Sequence, residues 1–384
     1  MEEMNQNTCY PIKKPEWENI VFFSVTTILG IVGAPLYIRH FGISISELLL
    51  FIFYALASPL SITIGYHRLY AHSTYKASPL VQLLLLFFGA AAFEQSALKW
   101  ASQHREHHLY VDTARDPYSI KKGFFYAHIG WLIFWRHFVA YENVKDLQAN
   151  PLVMHQHRHY KTWAITAGIL TPLLFGALTG HLLGTLLLSV CARLTLVYHA
   201  TFCINSVCHM FGKTTYDIHA SAKDNWLAAL LTYGEGYHNF HHHFPGDYRN
   251  GVRWFQWDPT KWTIALLARL GLAWDLRQVS QFQILSARLA ADHERAQAWL
   301  VKIQNNPNLA AMNALLASQY EKAQHALSAW EQSAKLYKRI LCKSIKHHSR
   351  EIREKALENL RAARRQFRED LTQWRVLSLQ FGRA

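Results

Sequence analysis

"PLVQLLLLFFGAAAFEQSALKWASQHREHH", residues 79–108, decides how this chain meets a membrane. Residues 79 to 98 form an apolar run of bilayer length, roughly 20 residues, but Glu94 and Gln95 stand near its end. His104, His107 and His108 follow at once. A crossing segment would put these histidines on the opposite face from "HRLYAH" (67–72), which follows the preceding apolar run. A segment that turns back would put both clusters on one face. Burying a carboxyl and an amide in lipid is costly, so the second geometry is expected, with 79–98 re-entrant or interfacial.

Four more apolar runs surround it, at about 19–38, 43–65, 163–178 and 182–207. Only "RHFG" (39–42) separates the first two, and a short Gly-containing break separates the last two, so both pairs read as helical hairpins. Further histidines follow the last run, at 209 and in "HNFHH" (238–242). Four crossings bring every cluster and both termini to one side. Lys13, Lys14 and the basic 145–161 loop then lie on the cytosolic side, as the positive-inside tendency requires. Five crossings would divide the clusters between two faces.

The composition agrees with this division. The 384 residues include 13 Trp, 18 Tyr and 21 Phe, with the apolar blocks concentrated before residue 270. A net charge of +14 in such a chain points to anionic lipid headgroups or an acidic redox partner rather than nucleic acid. Five cysteines without a CxxC pair favour reduced thiols. The N-terminus opens acidic and shows no secretory h-region. From about Leu276 the text becomes rich in Ala, Leu, Gln, Glu, Lys and Arg, with apolar residues at three- and four-residue spacing. That pattern predicts a helical extension, a hairpin hinged near Asn305 to Pro307, packed on the body or on a copy of itself, with peripheral membrane binding or docking of an electron donor as the alternatives. The expected divisions are a cytosolic segment 1–16, a membrane domain 17–275 with its interfacial segment 79–98 and cap, and a basic cytosolic extension 276–384.

The 23 histidines carry the chemistry. In HxxHH, positions i, i+3 and i+4 share one helical face, which groups His104 with His107 and His108, and His238 with His241 and His242. Asn205 and His209 share a face for the same reason. His67 and His72 are five apart and diverge by about 140° on an α-helix, so this pair is expected to straddle a helix end. Nine imidazoles exceed what one tetrahedral zinc can use. They suit two metals of higher coordination, iron first. "HQHRH" (155–159) has alternate spacing in a basic loop and reads as a solvated face, and His243 falls off the shared face of its box. Glu106 and Glu235 are candidates to orient the imidazoles. A metal transporter or sensor is the non-enzymatic alternative, but it calls for ionisable residues within the spans.

The boxes and their flanking text, "RDPYSIKKGFFYAHIGW" (115–131), "NSVCH" (205–209) and "TYGEGYHNFHH" (232–242), closely resemble the integral-membrane fatty acid desaturases of the stearoyl-CoA Δ9 type, in a bacterial-like form. The resemblance covers roughly residues 17–270. It implies an all-α integral membrane protein: four transmembrane helices and a cytosolic helical cap bearing a histidine-rich di-iron site, followed here by the helical extension. His67, His72, His104, His107, His108, His209, His238, His241 and His242 carry over as ligands of two Fe2+ ions, and Asn205 as a residue reaching one of them through water. Trp100, Gln95, Phe124, Trp131, Arg136 and Phe202 are the expected substrate contacts, and Trp100, Gly123, Phe124, His128 and Trp131 sit in matching text as tunnel or cap residues.

What the resemblance implies chemically is an O2-dependent oxidoreductase that places a cis double bond, at Δ9, in a saturated acyl chain. Removing two hydrogens from an unactivated chain needs a stronger oxidant than any side chain, and reduced iron with O2 supplies it. Each turnover needs two electrons. No heme-binding HPGG text occurs, so a separate donor of ferredoxin or cytochrome b5 type, with its reductase, is implied. Gln95, Ser102 and Gln103 replace the Asn, Arg and Asp that the animal-type enzymes place around CoA, and Trp135 replaces a basic residue. An acyl-CoA substrate therefore stands beside an acyl-lipid one, and a membrane fatty acid hydroxylase with the same site is the enzymatic alternative.

Overall fold

The computed structural model describes residues 12–136, 139–303, 305–343 and 350–381. Among them four helices are long and apolar enough to cross a membrane: Trp17–Phe41, Ile45–Ala71, Tyr160–Leu178 and Leu182–Met210. At about 1.5 Å per residue they measure roughly 30 to 40 Å, the thickness of a bilayer core or more. Local chemistry sets the first hairpin. Gly42 turns the chain at φ +77°, and Ser44 caps the second span in a reciprocal box with Glu47. The Glu47 carboxylate is buried and accepts from the Tyr37 hydroxyl at 2.8 Å and the Ser44 amide at 2.8 Å. The first and fourth spans touch at Gly30, where a Cβ would come within 2.9 Å of the Ala192 Cα.

Residues 79–98 do not form one helix long enough to cross a membrane. They form a helix of 12 residues, Pro79–Ala90, capped by the Ser78 hydroxyl, and then a reverse turn. Phe93 and Gln95 take left-handed backbone (φ 59° and 76°) in that turn, and Ser96 caps the next helix, Ala97–Tyr110. The run expected as one interfacial segment is thus two helices and the bend between them. Arg193, fully buried in the fourth span, donates to the Ala91 carbonyl at the end of the short helix. It donates also to the Gly168 and Ser189 carbonyls, each at 3.0 Å. A cation at the negative end of a helix dipole is favourable, and this one ties the helix 79–90 to the third and fourth spans. Glu94 has hydrogen-bond partners. The Trp100 indole N–H and the Thr201 hydroxyl donate to it at 3.2 and 2.9 Å.

Above the spans, two short antiparallel pairings clamp the cap, Ile12–Lys13 with Trp135–Arg136 and Lys76–Ala77 with Ala273–Trp274. The described residues up to 213, together with 220–278, form one compact unit.

Residues 214–219 with 279–384 form a second unit. Where a single hairpin was expected, it has three helices, Gln281–Lys302, Leu309–Lys343 and Arg350–Phe381. The first break coincides with the expected hinge at Asn305–Pro307. Leu289, Leu300, Leu316, Trp330, Phe367 and Trp374 form its core.

Candidate metal centre

Three helix ends and one irregular helix deliver the histidines to a single place. His104, His107 and His108 project from the helix 97–110, where Trp100 stacks on His104 with ring centroids 4.8 Å apart. His238, His241 and His242 project from the helix His238–His243, and His209 from the end of the fourth span. His67 and His72 straddle a helix end, as their spacing suggested, with His67 inside the helix and His72 its C-cap, but that helix is not a regular α-helix. Residues Ile62–Ala71 form a π-helix, and the His72 amide donates to the His67 carbonyl at 3.0 Å. The wider turn closes an i to i+5 bond, so residues five apart come onto one side.

Two groups result: His67, His72, His104, His108 and His241, and His107, His209, His238 and His242. Within each, one nitrogen from every ring lies within 4.8 Å of the others. In the first group Nε2 of His241 stands 3.0 Å from that of His67 and 2.9 Å from that of His108, while His72 and His104 are 2.8 Å apart. In the second, Nε2 of His238 is 3.0 Å from both His209 and His242, and His107 approaches His242 at 3.3 Å.

Four of the opposite ring nitrogens meet partners in the protein. Nδ1 of His67 meets Glu235 at 2.9 Å, and Nδ1 of His107 meets Asp116 at 2.8 Å. Nδ1 of His209 pairs with the Ser221 hydroxyl at 2.6 Å, and Nδ1 of His104 with Tyr118 at 3.3 Å. A carboxylate accepting from Nδ1–H leaves the Nε2 lone pair facing inward, the arrangement that fixes a metal-binding tautomer. Burial first, and then neighbouring imidazoles, hold His72, His104, His108, His238, His241 and His242 well below the usual histidine range. Neutral rings with converging lone pairs repel one another unless a cation lies between them, so these residues fit a metal at each group.

Glu235 is itself braced. Arg68 donates to it at 2.8 Å and to Asp258 at 3.0 Å, with all three side chains buried. Burial would raise the Glu235 carboxyl, but Arg68 and His67 overturn that and hold it down to about 2. Gly234 makes the approach possible: at φ +104°, its Cβ would sit 2.6 Å from the Asp258 carboxylate.

A cavity of about 540 Å³ runs past the centre, within the range of small-ligand sites. His67, His104, His107 and His238 line it, with Asn205 one helical turn before His209. Gln95, Trp100, Trp131 and Phe202 are in its wall. Phe124 is outside that lining: 41% exposed, it stacks on His128 instead. The Arg136 side chain lies outside the described residues. The rings of His155 and His159 lie tilted against each other at 4.9 Å, His157 bonds to Ser96, and none of the three joins either group, nor does His243.

A family model for fatty acid desaturases matches residues 46–275, which contain all nine histidines. A probable acyl-CoA desaturase of Schizosaccharomyces pombe is 38% identical over 291 residues, 75% of this chain and 61% of that protein. Acyl-CoA desaturase 1 of Saccharomyces cerevisiae is 37% identical over 286 residues, 72% and 56% of the two chains. The human stearoyl-CoA desaturase is 34% identical over 285 residues, 70% and 76%. The chain belongs to the fatty acid desaturase family. It spans less than two thirds of the length of either yeast relative.

Within this family member, Asp116 is the residue that composition and spacing did not single out. Glu106 and Glu235 were the expected orienting carboxylates. Glu235 has that role in the geometry, whereas the partner of His107 is Asp116, nine residues further on and beyond the helix end. Its signal was "RDPY" (115–118), in the turn beyond the helix end at Tyr110, which returns an acidic side chain to the helix. Glu106, half buried, faces Arg115 and Asp116, and burial raises its carboxyl.

Proposed function

We propose that the chain is an O2-dependent acyl-CoA desaturase that introduces a cis double bond at Δ9 of a saturated chain, with iron in both histidine groups. The observation that carries this is the shared wall: the imidazoles of both groups open onto one long, largely apolar cavity. The names of the relatives, acyl-CoA and stearoyl-CoA desaturases, supply the substrate class. Reduced iron at such a centre activates dioxygen strongly enough to remove hydrogen from a methylene.

The protein's own part is placement. Phe22, Phe23, Phe93 and Phe202 hold an alkyl chain and exclude water, while the hydrogen-bonded set Glu94, Trp100 and Thr201 narrows the passage beside His104. Lys99 and Gln95, which contact each other, give the wall a polar stretch for the thioester end. The nine histidines act as ligands in this reading, with Asn205 reaching the four-histidine group through water. The same reading divides the chain into a membrane domain 17–275 and an extension 276–384, with the cap and both termini cytosolic. Electrons come from a separate ferredoxin or cytochrome b5 type donor.

Expression in a host lacking its own Δ9 desaturase, followed by fatty acid analysis, tests the proposal. New Δ9 monounsaturates that disappear in His107→Ala are the expected result. Hydroxy acids in their place would make the chain a hydroxylase, and neither product with retained metal would remove the enzymatic reading.

A further inference from the structure

The second span carries a proline inside its helix, Pro59, eight residues before His67. Proline has no N–H, so it cannot serve the carbonyl four residues back, that of Ala55. In an apolar span an unserved carbonyl costs several kcal/mol, about what a lost hydrogen bond in lipid costs. The structure supplies a donor from elsewhere in the chain: the Tyr233 hydroxyl donates to the Ala55 carbonyl at 2.9 Å.

Tyr233 is held in place by more than its hydroxyl. Its backbone lies in the left-handed region, φ 55°, where a bulky aromatic is rare and costs of order 1–3 kcal/mol. The Thr260 hydroxyl donates to its carbonyl at 3.0 Å, and Thr260 in turn pairs with Thr63 of the second span at 2.7 Å. Strain of this kind persists only where surrounding contacts fix it.

Tyr233, Pro59, Ile62 and Thr63 all line the cavity, on the stretch of the second span that leads away from His67 toward the apolar interior. Pro59 lies roughly 12 Å along the helix axis from His67. Tyr233, bonded one turn further at Ala55, stands at that far end.

We propose that Tyr233 is the floor of the acyl pocket: its ring, pinned to the carbonyl that Pro59 leaves free, limits how many carbons extend beyond the metal centre. This rests on the desaturase reading of the site. Chain length is then set jointly by two segments distant in sequence, a helix-interior proline and a strained tyrosine.

The test replaces Tyr233 with residues that suit its backbone. Tyr233→Gly keeps the left-handed conformation and removes the ring, and Tyr233→Asn is the second choice should the glycine variant not fold. Tyr233→Phe keeps the ring and loses only the hydroxyl. Whole-chain protein carrying its metals is supplied with palmitoyl-, stearoyl- and arachidoyl-CoA in competition. The ratio of longest to shortest product should rise at least tenfold in Tyr233→Gly, the discrimination that about one ill-fitting methylene imposes. In Tyr233→Phe it should stay within about twofold of wild type. Thermal stabilisation by the same three acyl-CoAs under anaerobic conditions, without turnover, should shift in the same order. An unchanged ratio in a folded, metal-loaded Tyr233→Gly or Tyr233→Asn overturns the inference. So does a Tyr233→Phe variant that shifts as far as Tyr233→Gly, because the ring would then not be the stop. Wild-type protein that makes no unsaturated product would instead overturn the desaturase reading.

Discussion

The two histidine groups are built unequally. The group of five is backed by Glu235, Arg68 and Asp258, a buried ionic network that also holds the Tyr248 and Asn250 stretch through hydrogen bonds. The group of four is backed by Asp116 and the Ser221 hydroxyl, each making one contact to one ring. One side of the centre is thus part of the cap's framework, and the other is carried on helix ends and loops. The difference separates two consequences of mutation that are often confounded: loss of the metal and loss of the fold.

The largest effects come from the imidazoles themselves. His241 faces two partners in the first group and His242 faces two in the second. Each alanine variant should lower iron content from about two per chain toward about one and reduce desaturation by more than about 100-fold, beyond the 10- to 100-fold typical of residues that only orient a ligand. Iron analysis with product assay checks both. Next comes Glu235→Gln, which leaves Arg68 buried with one carboxylate fewer. Breaking such a pair costs about 3–5 kcal/mol, so a large fall in melting temperature should accompany the loss of activity.

Asp116→Asn should separate the groups. It removes the acceptor from His107 while leaving the ionic framework intact, so iron affinity should fall about 10- to 100-fold with little change in melting temperature. A fall in stability matching that of Glu235→Gln would show that the two groups are braced alike. Asn205→Ala, which touches the cavity wall beside the smaller group, should reduce turnover by less than about tenfold and leave iron content unchanged.

Much of this was legible in advance, for identifiable reasons. HxxHH is helical arithmetic, and apolar runs of bilayer length announce themselves, so the nine candidate histidines and the four spans could be named without coordinates. How His67 and His72 come onto one side depends on the π-helix, a backbone choice that residue spacing does not encode. Asp116 and Ser221 reach their imidazoles from loops, where periodicity carries no information. Arg193 reads as an anomaly in a span until the carbonyls of Ala91 and Gly168 are placed around it. The partnership of Pro59 with Tyr233 joins positions 174 residues apart and exists only in three dimensions.

The smallest predicted effect bears on the cavity side of the five-histidine group. Trp100, stacked on His104, donates its indole N–H to Glu94, and burial pushes the Glu94 carboxyl up to about 7 against the opposing pull of Thr201 and Trp100. A carboxyl whose folded-state pKa is raised binds its proton more tightly folded than unfolded. Stability is therefore greatest below the unfolded value of 4.5 and declines as pH rises toward about 7, above which the full cost of a buried charge is in place. Between about pH 6 and pH 8 the wild type should lose about 1 kcal/mol, a figure that falls if water reaches the partly exposed side chain. Glu94→Gln keeps the shape, the acceptor for Trp100 and the neutrality at every pH, so its melting temperature should lack this slope. The difference between the two melting curves across that range isolates Glu94 from the histidines, which are present in both proteins. Parallel curves would mean that Glu94 stays charged or stays neutral throughout, and that the wall beside His104 is indifferent to pH.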